Sequence, residues 1–200
     1  MKPGFYEKIV KILAVFIMML GICPILFGLL IYFYFAQNVP SVESLQNFSP
    51  PTVARMFSDD GEIIGEFSVE RREVVPLSRM PSHLIQAFVA AEDARFFQHK
   101  GLDYIAIVRA LLRNIFSGEI MQGGSTITQQ VVKSLLLSPE KTFARKIREA
   151  FLAFRIEKHL TKEEILYLYM NQVYLGHGAY GVSAAAESYF GKQVDDLDAA

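Results

Sequence analysis

Glu92 is a carboxylate in apolar company. On a helix running from Ser82 to about Asp93, Ile85, Phe88 and Val89 lie seven, four and three positions before it, so Glu92 shares their hydrophobic face. Burial disfavours the charged form of a carboxylate and raises its pKa, which makes it basic enough to take a proton from a hydroxyl near neutral pH. The plainer reading has Glu92 closing the helix and pairing with Arg95 or Arg109, because structural ion pairs also perturb carboxylates. A second carboxylate, Glu149, falls opposite the stripe of Ile147, Phe151 and Phe154, and periodicity alone reads it as a solvated side chain paired with Arg145 at i−4. Between the two lies a stretch of different chemistry. If residues 125–136 are helical, Thr126, Gln130 and Lys133 share a polar face with Gln129 at its edge, while Ile127, Val131 and Leu135 line the other. The start of that helix, at Gly124 and Ser125, offers free backbone N–H groups, and with Lys133 these make a cradle for an anion such as a diphosphate. An ordinary amphipathic helix with a wet polar face fits the same pattern.

The elements that must position these groups are mostly helical. Ser82 can cap a helix reaching Asp93, Asp103 one reaching Phe116, and Ser125 one through Leu136. Ser138-Pro139 suits a further helix start, and Thr161 with Glu164 makes a capping box for the helix that carries Tyr169 and Asn171. Leu166 and Tyr169 read as core, as do most Tyr, Phe and Leu residues between Phe96 and Phe116, with some of the latter left to face a bilayer. Upstream, residues 53–58 and 62–69 flank Asp59-Asp60-Gly61 and read as a short hairpin. Between Gly118 and Gly124 the chain has three glycines and few anchoring residues, and a mobile loop is expected there.

Two hundred residues with 52% hydrophobic and 12% aromatic content supply ample core for one domain. A net charge of −1 carries no nucleic-acid footprint, so anion binding must be local. Cys23 is the only cysteine, which excludes an internal disulfide and a zinc site on paired cysteines. Residues 12–36 contain no charged side chain, and roughly 20 helical residues cross a hydrocarbon core of about 30 Å. A cleaved signal peptide is disfavoured by that length and by the aromatic and aliphatic residues 31–35. Lys2, Lys8 and Lys11 precede the span and Glu43 is the first charge after it, so the positive-inside rule puts the N-terminus in the cytoplasm. The expected organisation is a cytoplasmic stretch at 1–11, an anchor at 12–36, an extended stalk at 37–52, a β element at 53–80 and a helical domain at 81–200.

Five strings within that domain carry a resemblance. They are Glu92-Asp93-Ala94-Arg95-Phe96-Phe97-Gln98-His99-Lys100-Gly101; Gly123-Gly124-Ser125-Thr126-Ile127-Thr128-Gln129-Gln130; Arg145-Lys146-Ile147-Arg148-Glu149; the segment from Lys162 to Asn171; and Gly178-Ala179-Tyr180-Gly181 with Tyr189-Phe190-Gly191-Lys192. In this order they resemble the five motifs of the peptidoglycan glycosyltransferases, glycosyltransferase family 51, and within it the N-terminal part of class A penicillin-binding proteins. The resemblance implies a lysozyme-like, mainly α fold with a short N-terminal β element behind a single transmembrane helix. It implies polymerisation of lipid II into glycan strands with inversion at the anomeric carbon and release of undecaprenyl diphosphate. Glu92 matches the family's general base and Glu149 its second carboxylate. Asp93, Phe96, His99, Gly124, Ser125, Thr126, Gln129, Gln130, Lys133, Arg145, Lys146, Lys162 and Asn171 match substrate-site positions, with His99 read as structural or positioning.

The same resemblance implies no required cofactor and no dedicated metal site, with a magnesium or manganese ion able to sit at the substrate diphosphate. The expected partners are lipid II, the growing strand, the bilayer and other wall-building proteins, with the catalytic domain on the outer, periplasmic face of the cytoplasmic membrane. Two carboxylates also describe a lytic muramidase, but such an enzyme holds no diphosphate and has no use for Lys133, Arg145 and Lys146. A catalytically silent scaffold is the remaining rival, against which Glu92 and Glu149 both stand. The abrupt end at residues 195–200 reads as a truncated helix, with a transpeptidase domain expected beyond it.

Overall fold

The computed structural model describes residues 3–36, 54–61, 63–67, 73–118, 123–140 and 142–198. The expected stalk, and residues 119–122 of the loop expected to be mobile, lie outside the described residues. The chain divides into two compact units, Met1–Val39 and Pro40–Ala200.

The first unit is one helix, α1 (Pro3–Ala36), within which Val10–Leu30 has a mean hydropathy of 2.7. At 1.5 Å per residue those 21 residues rise about 31 Å, the thickness of a hydrocarbon core. Pro24 lies inside the helix, which continues on either side of it.

The second unit opens with the hairpin of β1 (Ala54–Phe57) and β2 (Ile63–Phe67), antiparallel with Ala54 opposite Phe67 and Met56 opposite Gly65. Phe57 pairs with Ile63, so the register shifts at that end of the ladder. Gly61, at φ 84°, closes the turn by donating to the Ser58 carbonyl at 3.0 Å. Six α-helices follow among the described residues: α2 (Ser82–Glu92), α3 (Tyr104–Ser117), α4 (Ile127–Leu135), α5 (Phe143–Ile156), α6 (Lys162–Gln172) and α7 (Gly181–Phe190). The mainly α fold with a small β element is as expected.

Two caps stand where the sequence puts them. Asp103 accepts the N–H groups of Ile105 and Ala106, and Thr161 with Glu164 forms a reciprocal capping box. Three do not. Pro81, not Ser82, precedes α2 and makes no side-chain cap. Thr126, not Ser125, caps α4, because Gln129 sits three residues after it and answers its backbone N–H, whereas Ser125 has Thr128 at that position. Thr142 starts α5, accepting the N–H of Arg145, so Ser138-Pro139 lies outside the helix.

The core forms where the short α4 packs on α5 and α6, and α6 in turn on α7. Ile127, Val131 and Val132 of α4 meet a core containing Leu152, Ala153 and Ile156 of α5 and Ile165, Leu166 and Met170 of α6, all buried. Burying each such side chain contributes about 1.5–3 kcal/mol, so this three-helix seam is the rigid base of the unit. Tyr169 and Leu166 are buried as expected. The expectation of a core between Phe96 and Phe116 fails: Phe96 and Leu102 are buried, but Ala110 is the one buried residue of α3, and Tyr104, Leu111, Leu112 and Phe116 are exposed. α3 is apolar on faces that no described element covers.

Candidate active site

Glu92 is the last residue of α2, and there the chain leaves the helix through Asp93, whose N–H still reaches the Val89 carbonyl at 2.9 Å. The burial expected for Glu92 is not found. Ile85, Phe88 and Val89 are only half-buried, α2 has no buried residue, and Glu92 itself is exposed. Its partner is neither Arg95 nor Arg109: the side-chain amide of Gln130 on α4 donates to Glu92 Oε2 at 2.7 Å. Arg95 lies against Asp103, 3.5 Å from Oδ2.

Asp93 turns inward instead. Its carboxylate accepts the N–H of Ile127, the first residue of α4, at 3.1 Å and His99 Nε2 at 2.9 Å, with both side chains buried. A carboxylate at a helix N-terminus is favourable, and this one fastens the end of α2 to the start of α4. The N–H groups of Thr126, Ile127 and Gln129 are taken by Gln129 Oε1, Asp93 and Thr126 Oγ1, so these three are not among the free N–H groups of the cradle expected at Gly124 and Ser125. Thr126 further donates to the Gly101 carbonyl at 2.6 Å. Gly101 must be glycine, since at φ 90° an added Cβ would come within 2.8 Å of the Ala153 backbone.

Glu149 corrects the periodicity reading in the opposite sense. It is 2% exposed, because the inward face of α5 runs through Glu149, Leu152, Ala153 and Ile156, spaced three, four and seven apart, while Phe154 of the expected stripe is exposed. Its cation is Lys146 at i−3, not Arg145 at i−4. Lys146 Nζ donates both to Glu149 Oε1 and to Ser125 Oγ, the latter at 2.9 Å. The two carboxylates are thus tied to one short stretch of chain, Glu149 through Lys146 to Ser125 and Glu92 to Gln130.

Gln130 also lines a cleft of 570 Å³ whose walls include Lys133, Arg145, Tyr169, Tyr174 and Tyr180. Lys133 is exposed and Arg145 half-buried, and the Arg145 Nε has no hydrogen-bond partner. The Tyr169 hydroxyl is likewise buried without one, and burial, with the charge of Glu92, pushes its pKa up. Among the described residues no three His, Cys, Asp or Glu side chains are grouped to hold a metal.

The model of the transglycosylase family matches residues 60–200. The chain belongs to the transglycosylase family. It is similar to penicillin-binding protein 1A of Escherichia coli, 47% identical over 96% of this chain and 22% of that protein. It is also similar to the proteins of that name from Aquifex aeolicus, 47% identical over 89% of this chain, and Neisseria lactamica, 48% over 88%. The chain spans about a quarter of the length of these curated relatives, which is 25% for the Aquifex protein.

Within this transglycosylase domain the remaining expected site residues, Phe96, Lys162, Asn171 and Gly124, do not line the cleft. Phe96 is fully buried, its ring 5.1 Å from Phe97 and 6.2 Å from His99, with Lys162 Nζ 4.4 Å above its centroid. Lys162 also donates to Glu157 at 2.6 Å, a carboxylate shared with the Thr128 hydroxyl at 2.7 Å. Asn171 holds the segment before α2: it donates to the Val75 carbonyl at 3.0 Å and accepts the Val75 N–H at 2.9 Å. Gly124 packs on α3, where a Cβ would lie 3.2 Å from Ile107 Cα. The sequence reading missed Glu157, Tyr174 and Tyr180. Tyr180 lies in the glycine-rich fifth motif, and an aromatic between two glycines, Gly178 and Gly181, is the signal that marks it as placed rather than packed.

Proposed function

We propose that this chain polymerises lipid II into β-1,4 glycan strands, inverting the anomeric carbon and releasing undecaprenyl diphosphate. The observation that supports it most is an exposed carboxylate, Glu92, held by a residue of a cleft that also carries Lys133 and Arg145. Glu92 takes the proton from the 4-hydroxyl of the incoming sugar. The freed oxygen bonds to the anomeric carbon of the growing strand, the bond from that carbon to the diphosphate oxygen breaks, and the electron pair leaves with the lipid diphosphate. Lys133, Arg145 and Lys146 stabilise that departing charge through their side chains, the N–H groups of Thr126, Ile127 and Gln129 being occupied. Glu149 holds Lys146 toward Ser125, while Asp93, His99, Thr126, Gln129, Lys162 and Asn171 keep the elements in place. No resident cofactor is required; a magnesium or manganese ion would ride on the substrate diphosphate and keep several waters.

The apolar helix α1 anchors the chain in the cytoplasmic membrane, and Lys2, Lys8 and Lys11 ahead of it put the N-terminus inside and the catalytic unit on the outer face. The exposed Leu111, Leu112, Ile115 and Phe116 of α3 suit contact with lipid and with the isoprenoid tail. Incubation with lipid II in liposomes, with products separated by length, tests the reading. Strands accompanied by released undecaprenyl diphosphate support it; free sugars cut from preformed wall, or no product from folded protein, oppose it.

A further inference from the structure

The chemistry above uses the charged part of the cleft and leaves its aromatic part without a task. Tyr174 and Tyr180 line the same cavity with ring centroids 4.9 Å apart and planes tilted by 42°. Tyr174 is 58% exposed, yet it stands on a fixed backbone. The two residues form an antiparallel bridge, flanked by Gly181 N–H to the Val173 carbonyl at 2.8 Å and Leu175 N–H to the Ala179 carbonyl at 3.0 Å. The tip between them turns through three positive φ values, 95° at Gly176, 49° at His177 and 74° at Gly178. Tyr189 braces it by donating to the Leu175 carbonyl at 2.7 Å, with its hydroxyl 3.0 Å from His177 Nδ1. A backbone held from behind, with the Tyr174 ring exposed in front, is what a preorganised binding surface requires.

The rest of the lining decides the occupant. Lys133, Arg145 and Gln130 would be desolvated at a cost by a purely apolar chain, so an isoprenoid tail does not suit this cavity. A pyranose suits it: one face of C–H groups for an aromatic ring, and an edge of hydroxyl and acetamido groups for hydrogen-bonding neighbours. The Arg145 Nε and the Tyr169 hydroxyl are polar groups of the same lining that no protein atom satisfies.

We propose that Tyr174, backed by Tyr180, is a sugar-stacking subsite that takes an N-acetylhexosamine ring of the glycan substrate. This rests on the glycosyltransferase reading and adds a specificity determinant to it. The test compares binding of lipid II with binding of undecaprenyl diphosphate, which shares the lipid and diphosphate but carries no sugar, using the full chain and its Tyr174→Ala and Tyr174→Phe variants. Tyr174→Ala weakens lipid II binding about five- to twentyfold, Tyr174→Phe changes it by less than about twofold, and undecaprenyl diphosphate binds all three alike. Equal weakening of both probes by Tyr174→Ala, or no weakening of either, overturns the subsite. A parent chain that polymerises lipid II while Tyr174→Ala binds it normally overturns the subsite alone; a parent that gains no affinity from the sugars overturns the glycosyltransferase reading with it.

Discussion

Gln130 fixes where Glu92, the proposed base, stands. Glu92 projects from the last turn of α2 with no other hydrogen bond among the described residues, and the 2.7 Å contact to Gln130 ties it to the rigid seam of α4. Gln130→Ala therefore leaves Glu92 chemically intact but free to swing, and misplacement by about 1 Å costs on the order of a hundredfold in rate. Turnover should fall about ten- to a hundredfold while the thermal midpoint barely moves, since Gln130 is only half-buried; unchanged turnover would show that the base does not need this tether. At this scale the sequence was informative about residue types and less so about their surroundings. Glu92 and Glu149 stand out as the two carboxylates from spacing and resemblance, but their environments are exchanged relative to periodicity. Glu92 follows an apolar stripe yet sits at a helix end, where the neighbouring elements stop short of it. Glu149 lies off the stripe of the bulkiest side chains, but the smaller set of Leu152, Ala153 and Ile156 faces the core and takes Glu149 with it.

Caps determine how the elements meet, and they separate residues that hold the fold from those proposed to face substrate. Thr126→Ala removes the α4 cap and the bond to Gly101, so it should cost about 1–2 kcal/mol of stability. Ser125→Ala, one residue away, should leave stability within about 0.5 kcal/mol and lower turnover by releasing Lys146. Denaturation curves and lipid II turnover on the two variants check the contrast; equal stability losses would contradict it. Asp103 adds a pH signature to its own cap. Burial alone would raise its carboxyl, but the Ala106 N–H, the Arg95 charge and the Ile105 N–H outweigh it and hold the pKa below the usual 3.8. A carboxyl depressed in the folded state stabilises above its unfolded pKa and loses that contribution as pH falls through the folded value. The stability gap between parent and Asp103→Ala, about 1 kcal/mol or more at neutral pH, should thus narrow below about pH 4. Asp103 and the Thr161–Glu164 box were legible because each carries its partner within three residues. Thr126 was not, because adjacent Ser125 and Thr126 compete and only the amide of Gln129 decides between them.

Across the whole molecule, the long apolar helix and the helical transglycosylase unit were legible, because the 25 uncharged residues 12–36 and repeated capping signals leave few alternatives. The exposed α3 was not, because an apolar helix reads the same whether protein or lipid covers it. Nor was the aromatic edge at Tyr174 and Tyr180, which depends on a bridge between residues six apart across a tight loop. The central claim is that one family fold holds a single exposed base beside a cationic cleft, so the decisive experiment removes the base and nothing else. Glu92→Gln keeps the side-chain shape, and general-base catalysis contributes about 10²–10⁴-fold. With lipid II in liposomes, the account predicts strand synthesis reduced by at least about a hundredfold while lipid II binding and the thermal midpoint stay at parental values. Parental rates from a folded Glu92→Gln chain would contradict it.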